Sequence, residues 1–355
     1  MIVVDAHQDI AYNALGFGRD YRQPVLLTRA HENRPLAQSA TLGLPDALLG
    51  RVAVAFATLF VEPRARNTLP EMPEMDLTYG DAQEANRKAI QQIDYYHRLA
   101  DEDKRVRLIR TIKDLNAVLE TWNPERSIGQ RQQGLVILME GADPILEPKE
   151  FEAWYERGVR IVGPAWTGTR YSGGTSAPGG LTPEGRGLLD VMASFNALLD
   201  LSHMAEQAFY EALDLYPGTI IASHSNPRKF RDTDRHLSDA MIRRLAERGG
   251  VMGVVLFNRF LTERWTPGDA KNSVKLSVAA DVIDHVCQVT GSTSHIGIGS
   301  DLDGGFGWGA VPDELDSVMD LLQIAALLQE RGYALSDVEA IMGGNMLRQI
   351  RACLP

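Results

Sequence analysis

The chain opens MIVVDAHQDI (residues 1–10), an apolar, β-branched run that breaks into His7, Gln8 and Asp9. On a β-strand, positions i and i+2 project from one face, so His7 and Asp9 leave the strand end together. Seven more short apolar runs follow: VAVAFATLFV (52–61), GLVILME (134–140), VRIVGPAW (159–166), LLDLSH (198–203), TIIASH (219–224), GVMGVVLFN (250–258) and HIGIGSDL (295–302). Most are separated by charged stretches with helical periodicity, such as residues 79–100, 147–158, 182–199, 204–217, 237–250 and 276–291. Thr182 and Ser238 stand where N-caps belong, and glycines close the stretches at ERGG (247–250) and QVTG (288–291). Strands that alternate with helices pair in parallel through right-handed crossovers. Eight of them predict an α/β fold: one (β/α)8 TIM barrel over residues 1–355, with long loops at the C-terminal face of the strands. A doubly wound open sheet is the alternative, but no GxGxxG follows the first strand to support its dinucleotide-binding form.

Two segments interrupt the alternation. Residues 14–50 form a polar, Gly/Pro-spotted insertion after the first strand, and residues 63–80 read as an irregular loop. Long loops after barrel strands are where substrate sites are built.

The 355 residues are 44% hydrophobic and 23% charged, an ordinary globular composition. A formal net charge of -11 argues against nucleic acid or an anionic membrane as partner. Cys287 and Cys353 are the only cysteines, too few for a disulfide framework or a thiolate zinc cluster. The N-terminus has no signal-peptide pattern, no apolar run is long enough to span a membrane, and RACLP (351–355) is no anchor. These features predict a cytoplasmic protein.

The polar residues that end the runs carry the functional signal. They are His7 and Asp9, Glu140, His203, His224, and Asp301 with Asp303 two positions beyond. In a barrel, C-terminal strand ends converge on one mouth. Three of the eight histidines end apolar strands; His31, His97, His236, His285 and His295 sit in ordinary helical, loop or strand-start contexts. Asp9, Glu140 and Asp301 follow directly on apolar runs, where an unpaired charge is costly and a bound cation compensates it. Imidazole with carboxylate suits zinc or a similar first-row ion. Three histidines and two carboxylates exceed one tetrahedral shell and suit two ions a few Å apart. Glu140, from the third strand, is the best bridging candidate, and Asp301 is left over as a proton acceptor. Such sites hydrolyse carbonyl compounds.

DAHQDI (5–10), MEGADP (139–144), LDLSH (199–203), IASHSN (221–226) and GIGSDLDGG (297–305) occur in that order. Together they resemble the membrane (renal) dipeptidase family, a branch of the amidohydrolase-like metal barrels, and the likeness extends to GGNMLR (343–348). The resemblance implies two Zn2+ ions, one held by His7 and Asp9 and the other by His203 and His224, with Glu140 bridging. It implies hydrolysis of small dipeptides by a metal-bridging hydroxide, with Asp301 handling the proton. It also implies an arginine after the strand-six histidine that pairs with the substrate's free carboxylate. Of Arg228, Arg231 and Arg235, the spacing from His224 and the RHLSD setting select Arg235. A homodimer is a further expectation from the family.

One position departs from the family pattern. Where it places a histidine after strand four, this chain has Trp166, which bears on carbonyl stabilisation and substrate range. Arg170 or Tyr171 is the candidate replacement donor. TRYSGGTSAPGGLTPEG (169–185) would wall the pocket, and FNRFL (257–261) would bring Asn258 or Arg259 near the mouth. Two other functions stay open: an amidohydrolase acting on an N-acyl amino acid or lactone, and a metal-binding scaffold without catalysis, which the spare Asp301 argues against.

Overall fold

The computed structural model describes residues 1–35, 38–67 and 71–355. Each of the eight apolar runs contains a strand: β1 (Val3–Gln8), β2 (Val52–Phe60), β3 (Gln133–Glu140), β4 (Val159–Gly163), β5 (Leu198–Asp200), β6 (Ile220–Ala222), β7 (Val251–Val254) and β8 (Ile296–Ile298). All neighbours pair in parallel, and β8 returns to β1 through Asp5 opposite Ile298, which closes the barrel. Every residue of β1, β2 and β3 is buried. That is the physical reason these runs are continuously apolar: inner faces fill the barrel and outer faces meet helices. The longest ladder runs from Val54 opposite Gly134 to Phe60 opposite Glu140. It carries Glu140 to the C-terminal rim.

The helices start where the caps predict. The Thr182 hydroxyl accepts from Gly185 N–H ahead of helix Pro183–Ser194, and Ser238 accepts from Met241 N–H ahead of Asp239–Glu247. Helix Ser277–Thr290 stops at Gly291, in the left-handed conformation. Helix Ala82–Glu102 packs Tyr96 under the first two strands. Its hydroxyl accepts from Ala11 N–H (3.0 Å) and donates to the Thr58 carbonyl (2.9 Å). Tyr96→Phe removes the acceptor of the buried Ala11 N–H and a donor to the Thr58 carbonyl. It is expected to destabilise the fold by about 1–3 kcal/mol in chemical denaturation, with an unchanged m value.

Three features lie outside the alternating pattern. Val106–Leu108 adds a ninth strand, paired in parallel with the N-terminal end of β3 from Gln133 to Leu135. Ser172–Gly174 and Ala177–Leu181 form an antiparallel hairpin within the 169–185 segment. The 14–50 insertion holds helices Val25–His31 and Leu44–Leu49, with residues 36–37 outside the described residues. The 63–80 segment is partly ordered by a parallel pair, Glu62–Pro63 with Thr78–Tyr79, and its residues 68–70 lie outside the described residues. Both cysteines are free. Among the described residues no helix is long and apolar enough to cross a membrane.

Candidate metal centre

The strand ends deliver six side chains to one point. His7 belongs to β1, Asp9 is the first residue beyond it, and Glu140 is the last residue of β3. His203, His224 and Asp301 follow β5, β6 and β8 by two or three residues. Glu140 Oε1 lies 3.1 Å from His203 Nε2 and 3.2 Å from His224 Nε2. The two Nε2 atoms are 3.0 Å apart. His7 Nε2 lies 3.6 Å from Glu140, 3.7 Å from Asp9 and 3.8 Å from Asp301, and the His7 ring stacks on His224 at 3.6 Å. His7, Glu140 and His224 form one group able to hold a metal ion, and His7, Asp9 and Asp301 form another.

The chemistry of this donor set fits a cation. His203 Nδ1 faces the Thr175 hydroxyl (3.1 Å) and His224 Nδ1 faces the Ser223 hydroxyl (2.7 Å), so both imidazoles turn Nε2 to the centre. Burial, with Arg235 and His7 adding to it, holds both rings well below the ordinary histidine range, hence neutral. Two neutral imidazole nitrogens then crowd a carboxylate oxygen with little positive charge between them. Burial pushes Glu140 up to about 8 and Asp301 up to about 7. Burial also opposes the charged form of His7, yet Glu140, Asp9 and Asp301 around it hold its pKa up at about 10. Two buried carboxylates reluctant to ionise, and a histidine drafted in as counter-charge, describe a centre short of positive charge.

The backbone is bent to suit this centre. His203 (φ 65°) and Asp301 (φ 59°) are in the left-handed region, which costs free energy outside glycine and clusters at functional sites. A Cβ on Gly304 would stand 1.9 Å from Asp301 Oδ1, so glycine there is what gives that carboxylate its place. The Thr58 hydroxyl of β2 donates to Asp9. Asp303 turns away from the centre and ties the insertion down, accepting from Thr41 N–H (2.7 Å) and pairing with Arg19 (3.2 Å).

Above the six groups lies a cavity of about 710 Å³ lined by Asp9, Glu140, His203, His224 and Asp301, and also by Trp166, Arg235, Arg231 and Arg259. One aromatic group on it is Tyr12, Phe60 and Trp166, with Trp166 5.1 Å from Phe60 and 6.1 Å from His203. A second joins Phe257, Phe260, Trp265 and Phe306. Arg235 is buried. It donates to the His224 carbonyl (2.7 Å) and Ser225 Oγ (3.3 Å), and its Nε has no hydrogen-bond partner among the described residues. Arg228 instead pairs with Glu206 (2.8 Å).

One expectation needs correction. Arg170 and Tyr171 do not reach the cavity: Arg170 donates to the carbonyls of Ile145 and Leu146, and the buried Tyr171 hydroxyl donates to Ile145. Neither stands in for a carbonyl-polarising histidine. Of the two polar candidates in residues 257–261, Asn258 is buried and donates to Val311, while Arg259 lines the cavity together with Phe257 and Phe260. The 169–185 hairpin does wall the cavity, through Thr175 and Ser176.

The sequence profile of the membrane dipeptidase family (peptidase family M19) matches residues 1–353. The chain belongs to that family. Among its relatives is an uncharacterised protein from the pqqA 5' region of Klebsiella pneumoniae, 30% identical over 67% of this chain and 88% of that one. Dipeptidase 3 of Rattus norvegicus is 26% identical over 76% of this chain, and the match spans about half of that protein, 52%. The fold is shared with two crystal structures, each 21% identical. Dipeptidase AC, a metallo peptidase, has a TM-score of 0.81 with 100% of this chain and 99% of that chain covered. A metallo peptidase from Rhodobacter sphaeroides, liganded with a phosphinate mimic of the dipeptide L-Ala-D-Ala, has a TM-score of 0.79 with 99% of both chains covered. Membership in the membrane dipeptidase family agrees with the barrel and with a metal-holding centre at its mouth.

Proposed function

We propose that the protein is a zinc-dependent dipeptidase. His7 and Asp9 would hold one zinc ion, His203 and His224 a second, and Glu140 both. The observation that carries this reading is the convergence of two neutral Nε2 atoms on Glu140 Oε1 within 3.2 Å, with His7, Asp9 and Asp301 beside them. Bound there, the ions would supply a Lewis acid for the scissile carbonyl and lower the pKa of water toward neutrality. Asp301 takes the proton of the attacking water and returns it to the departing amine nitrogen. Arg235 pairs with the C-terminal carboxylate of the substrate, since a buried guanidinium with a free Nε is suited to a carboxylate. Trp166 and Phe60 present an apolar face that shields the reacting centre from bulk water.

The test uses the purified chain, stripped with a chelator and reloaded with zinc. Dipeptides are expected to be cleaved only after reloading. Faster turnover of N-acyl amino acids or lactones would favour the non-peptide reading that Trp166 leaves open, and zinc uptake without turnover of any of these would favour a scaffold. Arg235→Met is expected to lower kcat/KM for dipeptides about 10²-fold, mainly through KM, because it removes a desolvated charge partner. Parent enzyme should cleave dipeptide amides correspondingly poorly, and the variant should no longer distinguish acid from amide. Equal discrimination in parent and variant would take the carboxylate away from Arg235.

A further inference from the structure

We propose that Asp200 is a positioning residue that fixes the tautomer of His224 and thereby its affinity for metal. This rests on the metal-holding part of the function proposed above.

Asp200 closes β5 and is 1% exposed. Its Oδ1 accepts the N–H of Ser202 (3.0 Å) and of Ser223 (2.8 Å), and its Oδ2 accepts the Ser223 hydroxyl (2.5 Å). Ser223 Oγ lies 2.7 Å from His224 Nδ1. A hydroxyl has one proton. It is given to Asp200, so the serine oxygen accepts and His224 carries its own proton on Nδ1. His224 Nε2 is then a bare lone pair facing Glu140, the form that ligates a metal. The relay runs from carboxylate to hydroxyl to imidazole, and Asp200 acts on His224 without touching it.

The barrel contains its own control. Asp5 of β1 clamps Ser300 in the same manner, Oδ1 on the serine N–H (2.7 Å) and Oδ2 on its hydroxyl (2.6 Å). Both clamps tie neighbouring strands, and each serine precedes a residue of the centre, His224 or Asp301. Their onward contacts differ. Ser300 Oγ accepts from Leu302 N–H (3.3 Å), whereas Ser223 Oγ reaches an imidazole. If the clamp were purely structural, breaking either would have the same effect on metal binding.

Asp200→Asn keeps the shape and reverses the relay. The amide oxygen stays on the two backbone N–H groups, so its NH2 faces Ser223 Oγ. The hydroxyl then donates to the nearer of its two remaining acceptors, His224 Nδ1 at 2.7 Å rather than Ser202 Oγ at 3.3 Å, which moves the imidazole proton to Nε2, where it points at Glu140 and blocks ligation. A neutral amide enforcing the wrong imidazole tautomer is a known consequence of this substitution in hydrogen-bonded relays.

The experiment titrates the stripped full-length chain with Zn2+ against a competing chelator. Asp200→Asn is expected to weaken binding at one site about 10–100-fold, while Asp5→Asn stays within about threefold of the parent. Adding Ser223→Ala to Asp200→Asn removes the hydroxyl that enforces the wrong tautomer. The double variant is therefore expected to bind more tightly than Asp200→Asn alone, where independent losses would add. Histidine side-chain nitrogen NMR of the metal-free protein should show His224 protonated on Nδ1 in the parent and on Nε2 in Asp200→Asn. Parent-like affinity in Asp200→Asn, equal weakening in Asp5→Asn, further loss in the double variant, or an unchanged tautomer would each overturn the proposal. A parent chain that takes up no zinc would overturn the metal reading instead, and the tautomer shift would still decide this one.

Discussion

Asp301→Asn is expected to lower kcat for dipeptide hydrolysis by about 10²–10⁴-fold while the bound metal remains, the range for removing a positioned acid–base group. Burial pushes the Asp301 carboxyl up to about 7, against the pull of His7 and Arg235 and with Asp9 adding to the rise. A carboxylate set beside the donor group can accept a proton and return it, as attack of water and departure of an amine together require. Asparagine fits the space beside Gly304 and can do neither. Turnover and metal content should be measured on the same sample. Parent-like kcat would remove Asp301 from the mechanism. Loss of an ion along with activity would make Asp301 a ligand, which the grouping of His7, Asp9 and Asp301 permits.

The barrel was legible because its strands are buried on both faces, which leaves unbroken apolar runs, and the centre was legible because charge at the end of such a run is costly. The same reasoning applied to charge inside a run would have found more. Asp5 in MIVVDA and Asp200 in LLDLSH are fully buried carboxylates with hydroxyl partners, set within the apolar runs rather than at their ends. Their partners Ser300 and Ser223 come from the neighbouring strand, so no local pattern announces them. Val106–Leu108 makes no readable run, because it is three residues long and only Val106 is buried. The 172–181 hairpin is held by backbone approach: a Cβ on Gly173 would meet the Gly179 carbonyl at 2.5 Å, so it has no side-chain alternation to read. The direction of Arg170 and Tyr171 is not legible in their loop, because it is set by carbonyls at Ile145 and Leu146, more than twenty positions away.

Glu140→Gln is expected to reverse sign with metal: it abolishes zinc uptake and activity, yet makes the stripped protein more stable than the parent. With metal, the loss follows from donor count. The carboxylate offers Oε1 to the side of His203 and His224 and Oε2 to the side of His7, and an amide replaces one of these acceptors with a donor. Without metal, the carboxylate is a burden. Burial raises its pKa from 4.5 to about 8, against the pull of His7 and Arg235, with Asp9 and Asp301 adding to the rise. Between those pH values the folded chain keeps a proton that the unfolded chain has released, so parent stability falls as pH rises through the window. Glutamine does not titrate, and the Tm advantage of the stripped variant should therefore widen from about pH 5 to about pH 8 and level off above. Zinc should restore the parent through binding to the folded state and leave the variant where it was. A Tm difference that is the same at both ends of the window would mean that Glu140 is ionised in the folded, metal-free chain throughout, and a variant that still binds two ions would remove the bridge.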